Sequence, residues 1–260
     1  MRLIIWNMHH WRQPADTRPK AWEWLKQNAD VALVQEASPP DELRSESFQP
    51  IHDTQDWGSG VIGFGIEVEV IAQARGRANK RDSDLLQTWP GSVAVGRVDV
   101  GGRRITLVSA YGVIDNGYAV TTVNRILTDL VPLFDEPSLG KYVILGGDLN
   151  ITTQWTGSDE RYLPWHRAAF QRIEAFGLRD CLDAFRADCP LEGCGCTDGD
   201  VCRHIHTHVH QGSDRPWQDD YVFASEPLFN ENVLTHAEVL DTPELRDLSD
   251  HLPVAVGLTQ

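Results

Sequence analysis

Apolar residues along this chain recur with two periods, one suited to strands and one to helices. Arg2 to Trp6 reads as a short strand. Arg18 to Asn28 has helical spacing, with Thr17 as the expected N-cap and Trp22 and Leu25 on one face. Val31 to Gln35 is a short buried strand, and Gly60 to Phe64 and Glu67 to Ala72 alternate like neighbouring strands. Gly58-Ser59-Gly60 reads as the turn before them. Ser92 to Val100, Gly101-Gly102 and Arg103 to Ser109 form a hairpin pattern. Val120 to Phe134 is helical, Lys141 to Leu145 a strand, and Leu163 to Phe176 a helix closed by Gly177. Asp220 to Ala224 and Pro253 to Leu258 are the last clear strands. Strands joined partly by hairpins, with helices interspersed, predict mixed sheets covered by helices. No linker or repeat divides the chain, so residues 1–260 are expected to form one domain.

With 260 residues and a 41% hydrophobic content, the chain can bury a full core. No run approaches the roughly 18 apolar residues of a membrane span. Met1 to Trp6 lacks a secretory core and cleavage site, so a cytoplasmic monomer is expected. The net charge of −15 argues against non-specific gripping of long duplex nucleic acid. It leaves a phosphate substrate open, because carboxylates that ligate a metal become positive sites once loaded. The basic clusters Arg75, Arg77, Lys80, Arg81 and Arg103-Arg104 read as a solvated loop and a hairpin turn.

Polar residues concentrate where the apolar runs end. Asn7, Glu36, Asp148 with Asn150, Asp220, and Asp250 with His251 each abut a strand. Any one of them could be an ordinary loop residue. Together they are what a site at the strand ends of a layered α/β protein requires. Carboxylates and amides suit a hard divalent cation, and an imidazole suits a phosphate oxygen. There is no Gly-x-Ser-x-Gly elbow and no Walker loop.

These motifs, in order, resemble those of the endonuclease/exonuclease/phosphatase superfamily. They are Ile5-Trp6-Asn7, Val34-Gln35-Glu36, Ser109-Ala110-Tyr111, Gly147-Asp148-Leu149-Asn150, Asp220-Tyr221-Val222-Phe223 and Ser249-Asp250-His251-Leu252-Pro253-Val254. The resemblance implies an α/β (α+β) four-layer sandwich, two packed mixed sheets flanked by helices. It also implies a phosphoesterase dependent on Mg²⁺ or Mn²⁺. By the same resemblance Glu36, beside Asn7, holds the metal, and Asp250 completes its shell or binds a second ion. Asp148 orients or deprotonates the attacking water, and Asn150 bonds a phosphate oxygen. His251 contacts the phosphate, held by Asp220, with Tyr111 near the phosphate or leaving group. Adjacent Asp219 would take the place of Asp220 if the register slipped by one residue. Tyr111 stands where DNase I-like members carry His, which favours the exonuclease III-like side, although Asn116 is not at that side's usual spacing. The inositol-polyphosphate phosphatase signatures are absent, since Ile151-Thr152 follows Asn150 and Trp217-Gln218-Asp219-Asp220 precedes Tyr221.

One segment falls outside this scheme, a Cys/His-rich insertion at about residues 189–210. Cys189, Cys194, Cys196 and Cys202 precede His204, His206, His208 and His210 among Gly, Asp and Thr residues. Three arrangements fit: a structural Zn²⁺ held by three or four of the thiolates, with or without His204, one or two disulfides, or free thiols. The alternating histidines read as one face of a strand. Its functional reading puts His206 or His208 on the rim of the site. His9 or His10 could reach the phosphate, and Trp155 and Trp11 are candidates for substrate stacking.

The function expected is in-line hydrolysis of a phosphodiester by an activated water, the substrate being nucleic acid. The alternatives are a phosphatase or phosphodiesterase of a small-molecule or lipid-headgroup ester, and a catalytically silent binding module of the same fold.

Overall fold

Most expected elements form. Glu67 to Ala72, expected beside Gly60 to Phe64, yields only the two-residue strand Glu69–Val70, which pairs with Gly96 and Arg97 in the other sheet. Four further differences have physical causes. A computed structural model describes residues 1–44, 47–51, 55–74, 85–116, 119–186, 194, 196, 202–209 and 216–259. Cys189, His210 and the cluster Arg75, Arg77, Lys80 and Arg81 lie outside the described residues. In chain order, β1 (Arg2–Asn7), α1 (Arg18–Asn28), β2 (Val31–Ala37), β3 (Phe48–Pro50), β4 (Gly58–Gly63), β5 (Glu69–Val70), β6 (Gln73–Ala74) and β7 (Leu85–Leu86) come first. The hairpin β8 (Val93–Val100) and β9 (Arg103–Ala110) follows, then α2 (Val120–Asp129), α3 (Val131–Asp135), α4 (Pro137–Gly140) and β10 (Val143–Asp148). The last part contains α5 (Leu163–Ala175), β11 (Leu178–Asp180), α6 (Cys181–Phe185), β12 (Asp220–Ser225), α7 (Glu226–Asn230), β13 (Leu234–Val239), α8 (Pro243–Leu248) and β14 (Val254–Leu258).

Thr17 occupies the N-cap position of α1, but its side chain makes no capping bond. Its backbone is already helical (φ −81°, ψ −37°), whereas a capping side chain is aimed by an extended residue. The run from Val120 to Phe134 divides into α2 and α3 because Pro132 lacks an N–H and its ring crowds the preceding turn. Gly58-Ser59-Gly60 begins β4 rather than forming a turn. A Cβ at Gly58 would stand 2.1 Å from the Gln49 carbonyl oxygen, so this glycine permits close approach of β3. The histidine stretch is extended but is not a strand. His208 makes isolated bridges to Trp217 and His251, while His204 and Thr207 are buried and Val209 is exposed.

Two six-stranded mixed sheets result, with orders β13-β14-β1-β2-β4-β3 and β11-β12-β10-β9-β8-β5. Leu3, Ile5 and Leu33 of the first meet Leu107, Ile144 and Val222 of the second in one buried apolar core. The opposite face of the first sheet, Ile4 and Trp6, is covered by Trp22 and Leu25 of α1. The outer face of the second, Val108, Leu145 and Phe223, is covered by Val123 and Leu127 of α2 and Ile173 of α5. Helix, sheet, sheet, helix is the four-layer sandwich, and strands covered on both faces read as continuous apolar runs.

Strand direction sets where the polar ends gather. β1 runs parallel to β2, and β9 parallel to β10, so their C-terminal ends share one edge. β12 and β14 run antiparallel to β10 and β1 and begin at that edge. Asp148 and Asp220 are direct cross-strand partners there. Gly147 has a φ of +151°, and a Cβ on it would lie 1.9 Å from the Ala110 carbonyl oxygen, so only glycine brings the neighbouring strand to Asp148.

Candidate active site

Asp148 is the hub where the two sheets meet. Asn7 Nδ2, from the first sheet, donates to Asp148 Oδ2 at 2.7 Å. Asn150 donates its backbone N–H to Oδ1 at 2.8 Å and its side-chain amide to Oδ2 at 2.9 Å. The bend that lets one residue make both bonds puts Asn150 at φ +49°, a conformation asparagine tolerates better than most residues. Burial pushes the Asp148 carboxyl up to about 8; the His251 charge opposes this, and Asp220, Asp219 and Glu36 add to it.

His251 stands on the other side of Asp148, its Nε2 3.9 Å from Oδ2. Its Nδ1 lies 2.8 Å from Asp220 Oδ2. Burial works against the imidazolium, but the Asp220 and Asp148 charges prevail and hold His251 well above the usual histidine range. Backbone contacts fix the ring. Trp6 Nε1 donates to the His251 carbonyl, and Ser249 Oγ both donates to the Asn7 carbonyl and accepts the His251 N–H.

A second histidine–aspartate pair lies against the first. His208 stacks on His251 with ring centroids 4.1 Å apart and planes 6° from parallel. His208 Nδ1 lies 2.8 Å from Asp219 Oδ2, and its Nε2 faces Asp250 at 3.7 Å. Burial lowers His208, but the bonds to Asp219 and Asp250 raise it to about 9. Asp219 and Asp220 therefore each hold an imidazole, and Asp220 is the partner of His251. Asp250 also pairs with His9 Nδ1 at 2.7 Å. Burial raises its carboxyl, and the bonds from His208 and His9 bring it well below the ordinary range.

Glu36 sits at a bulge where β2 and β4 lose register, with φ +48°. Tyr111 donates its hydroxyl to Glu36 Oε1 at 2.6 Å, and Trp11 Nε1 donates to Oε2. Tyr111 is thus tied to Glu36, and burial with the Glu36 and Asp148 charges holds its phenol well above its ordinary range. His10 turns away from the site, its Nδ1 accepting the Ser38 amide at 2.9 Å.

Among the described residues, ligand atoms of Asp148, Asp220 and His251 lie within 4.8 Å of one another, as do those of His208, Asp250 and His251. Glu36 is in neither group. The donor set nonetheless suits a hard cation. Carboxylates of Glu36, Asp148, Asp219, Asp220 and Asp250 surround few positive groups, and Asp148 is raised partly because of it.

Beside this constellation lies a cleft of about 350 Å³ lined by Asn150, Trp155, Tyr162, His208, Trp217 and Asp219, among others. Trp155 and Trp217 lean together with centroids 5.2 Å apart. His206, half-buried on the same stretch as His208, does not line the cleft, and His204 turns toward Cys194 and Cys202. Trp11 is 44% exposed and stacks on Trp57. Trp217 and Trp57 carried no sequence signal of their own beyond the position of Trp217 three residues before Asp220.

Comparison with solved structures places the fold among nucleases and related phosphoesterases. The AP endonuclease LMAP from Leishmania major has a TM-score of 0.67 at 16% identity, over 100% of this chain and 87% of that one. An AP endonuclease from Archaeoglobus fulgidus has a TM-score of 0.62 at 17% identity, covering 99% of each chain. The 3' phosphatase NExo from Neisseria, solved with product DNA hairpin, has a TM-score of 0.63 at 15% identity, covering 100% of each. No curated protein sequence matches. The endonuclease/exonuclease/phosphatase family model matches residues 20–251, a span that takes in Glu36, Asp148, Asp220 and His251, and this chain belongs to that family.

Proposed function

We propose that this protein is a divalent-metal-dependent phosphodiester hydrolase acting on nucleic acid by in-line attack of water. The observation that carries this reading is the buried Asp148, fixed by Asn7 and Asn150 and facing the His251–Asp220 pair. Glu36 and Asp250, with Asn7 close by, would hold Mg²⁺ or Mn²⁺. The bound cation would polarise the phosphoryl oxygen and offset charge on the phosphorus.

Asp148 takes the proton of the attacking water. Burial raises it to about 8, which makes the carboxylate a stronger base and calls for activity that rises with pH as the carboxyl ionises. Its amide partners keep the receiving oxygen aimed, and Asn150 can turn a donor to a non-bridging oxygen. His251 remains an imidazolium that donates from Nε2 to the developing charge, while Nδ1–H stays with Asp220. As the water oxygen bonds to phosphorus, the bond to the leaving oxygen breaks, and that oxygen takes a proton from solvent water, which the proton later released by Asp148 replaces. His208, cationic near neutral pH and parallel to His251, adds positive charge at the cleft mouth.

A second reading, hydrolysis of a small phosphate ester, is favoured by the net charge of −15 and the aromatic cleft. The experiment is a parallel assay of single-stranded DNA, duplex DNA, RNA and a bis-aryl phosphate, with Mg²⁺ or EDTA. Metal-dependent cleavage of DNA or RNA is expected, falling about 10²- to 10⁴-fold in His251→Gln and Glu36→Gln. Turnover of the aryl ester alone would select the second reading. Hydrolysis unchanged in both variants would refute the catalytic assignment.

A further inference from the structure

Apart from the catalytic constellation, the described residues contain one more group of metal-ligating side chains. Ligand atoms of Cys194, Cys196, Cys202 and His204 all lie within 4.8 Å of one another. His204 Nδ1 is 3.2 Å from Cys202 Sγ and 3.6 Å from Cys194 Sγ. A thiolate about 2.3 Å and an imidazole nitrogen about 2.0 Å from a tetrahedral zinc stand about 3.5 Å apart. The described cysteines carry no disulfide. Three soft sulfurs and one imidazole select zinc over magnesium or calcium.

The surroundings are those of a built site. Thr153 Oγ1 lies 2.5 Å from His204 Nε2, so that nitrogen can carry the proton while Nδ1, which faces the Cys194 and Cys202 thiols, presents its lone pair as a ligand. Gln154 Nε2 donates to Cys194 Sγ at 3.3 Å. The same Gln154 accepts the Gln218 N–H through Oε1, and Gln218 Oε1 accepts the Ile205 N–H at 2.8 Å. Both Thr153 and Gln154 belong to the chain that leaves Asn150. Gln218 lies between Trp217 and Asp219, and Ile205 begins the stretch that carries His208.

We propose that Cys194, Cys196, Cys202 and His204 bind a structural Zn²⁺ that fastens three segments of the cleft wall together. The ion replaces the core that this Gly-, Asp- and Thr-rich segment cannot build, and it sets the position of His208 and Trp217 relative to Asn150. The site is separate from the Mg²⁺ or Mn²⁺ donors, and the inference does not depend on the hydrolytic reading.

The test is metal content and uptake by the full chain. Reduced, metal-free protein titrated with Zn²⁺ against a chromophoric chelator should take up one tight equivalent. That equivalent should survive Glu36→Gln and Asp250→Asn, be lost in Cys194→Ser and Cys202→Ser, and be retained in Cys181→Ala. Because a serine variant can fail to fold, Co²⁺ is loaded into the unaltered chain as well, where thiolate charge-transfer and tetrahedral d–d bands are expected. Failure of the reduced chain to take up zinc, cobalt spectra without thiolate bands, or loss of the ion in Asp250→Asn but not Cys194→Ser would each overturn the proposal.

Discussion

His10 offers a quantitative test of how the loop behind Glu36 is held. The ring is fully buried, T-stacked on Trp22, with Nδ1 accepting the Ser38 amide. The backbone N–H of His10 donates to the Glu36 carbonyl at 3.0 Å, so residues 9–10 and 36–38 brace each other. Burial, with the Arg18 and His9 charges, lowers its pKa from 6.5 to about 3. A proton on Nδ1 would also break the bond from Ser38. The unfolded chain therefore binds this proton more readily than the folded one. The His10 contribution to stability is complete above pH 6.5 and is lost as pH falls toward 3. Between pH 7.5 and 5.0 this amounts to about 2 kcal/mol. His10→Asn keeps an acceptor near Nδ1 and cannot titrate. Urea unfolding of both proteins at the two pH values should show the parent losing about 2 kcal/mol more than the variant. Any packing defect in the variant is common to both pH values and cancels. Equal losses would refute the assignment of a buried, neutral His10.

Other changes probe the site and its frame. Tyr111→Phe removes the donor that orients Glu36 and should raise the Mg²⁺ concentration for half-maximal activity about 10- to 100-fold, read from a metal titration. His208→Asn should lower kcat/KM for a nucleic-acid substrate about tenfold or more, with Asp219→Asn tending the same way, because the second removes the bond that keeps the imidazole charged; unchanged kinetics in both would exclude His208 from substrate contact. Gly58→Ala drives a methyl into the Gln49 carbonyl and should destabilise the fold by about 1–3 kcal/mol, read as a lower urea midpoint at unchanged slope.

Much of this architecture is legible in the chain because sheets covered on both faces leave continuous apolar runs. The C-terminal ends of Ile4-Ile5-Trp6 and Val143-Ile144-Leu145 mark where polar residues have to emerge, and Asn7 and Asp148 follow. Edge and short elements are less legible, as with β3 and β11, which have three residues each and are set by their partners rather than by period. Gly58 misleads for a related reason, since a glycine demanded by a neighbouring backbone looks identical in sequence to one demanded by a turn. Likewise Pro132 splits a helix whose apolar spacing continues across the break.

The pair Asp219-Asp220 shows where reading a chain stops and geometry begins. Strand alternation separates the two side chains, and adjacency to Tyr221 singles out Asp220 as the residue at the strand end. Alternation cannot say that Asp219 has a partner as well. That depends on the bridge from His208 to Trp217 and His251, which lays residues 204–209 across the start of β12. Once this stretch is in place, its imidazole falls over His251, and Asp219 becomes its hydrogen-bond acceptor. The bridge is a long-range contact with no period of its own, and residues 204–205 tie it to Cys202 and Gln218. The second histidine of the site is thus specified by the segment that looked least like part of the fold.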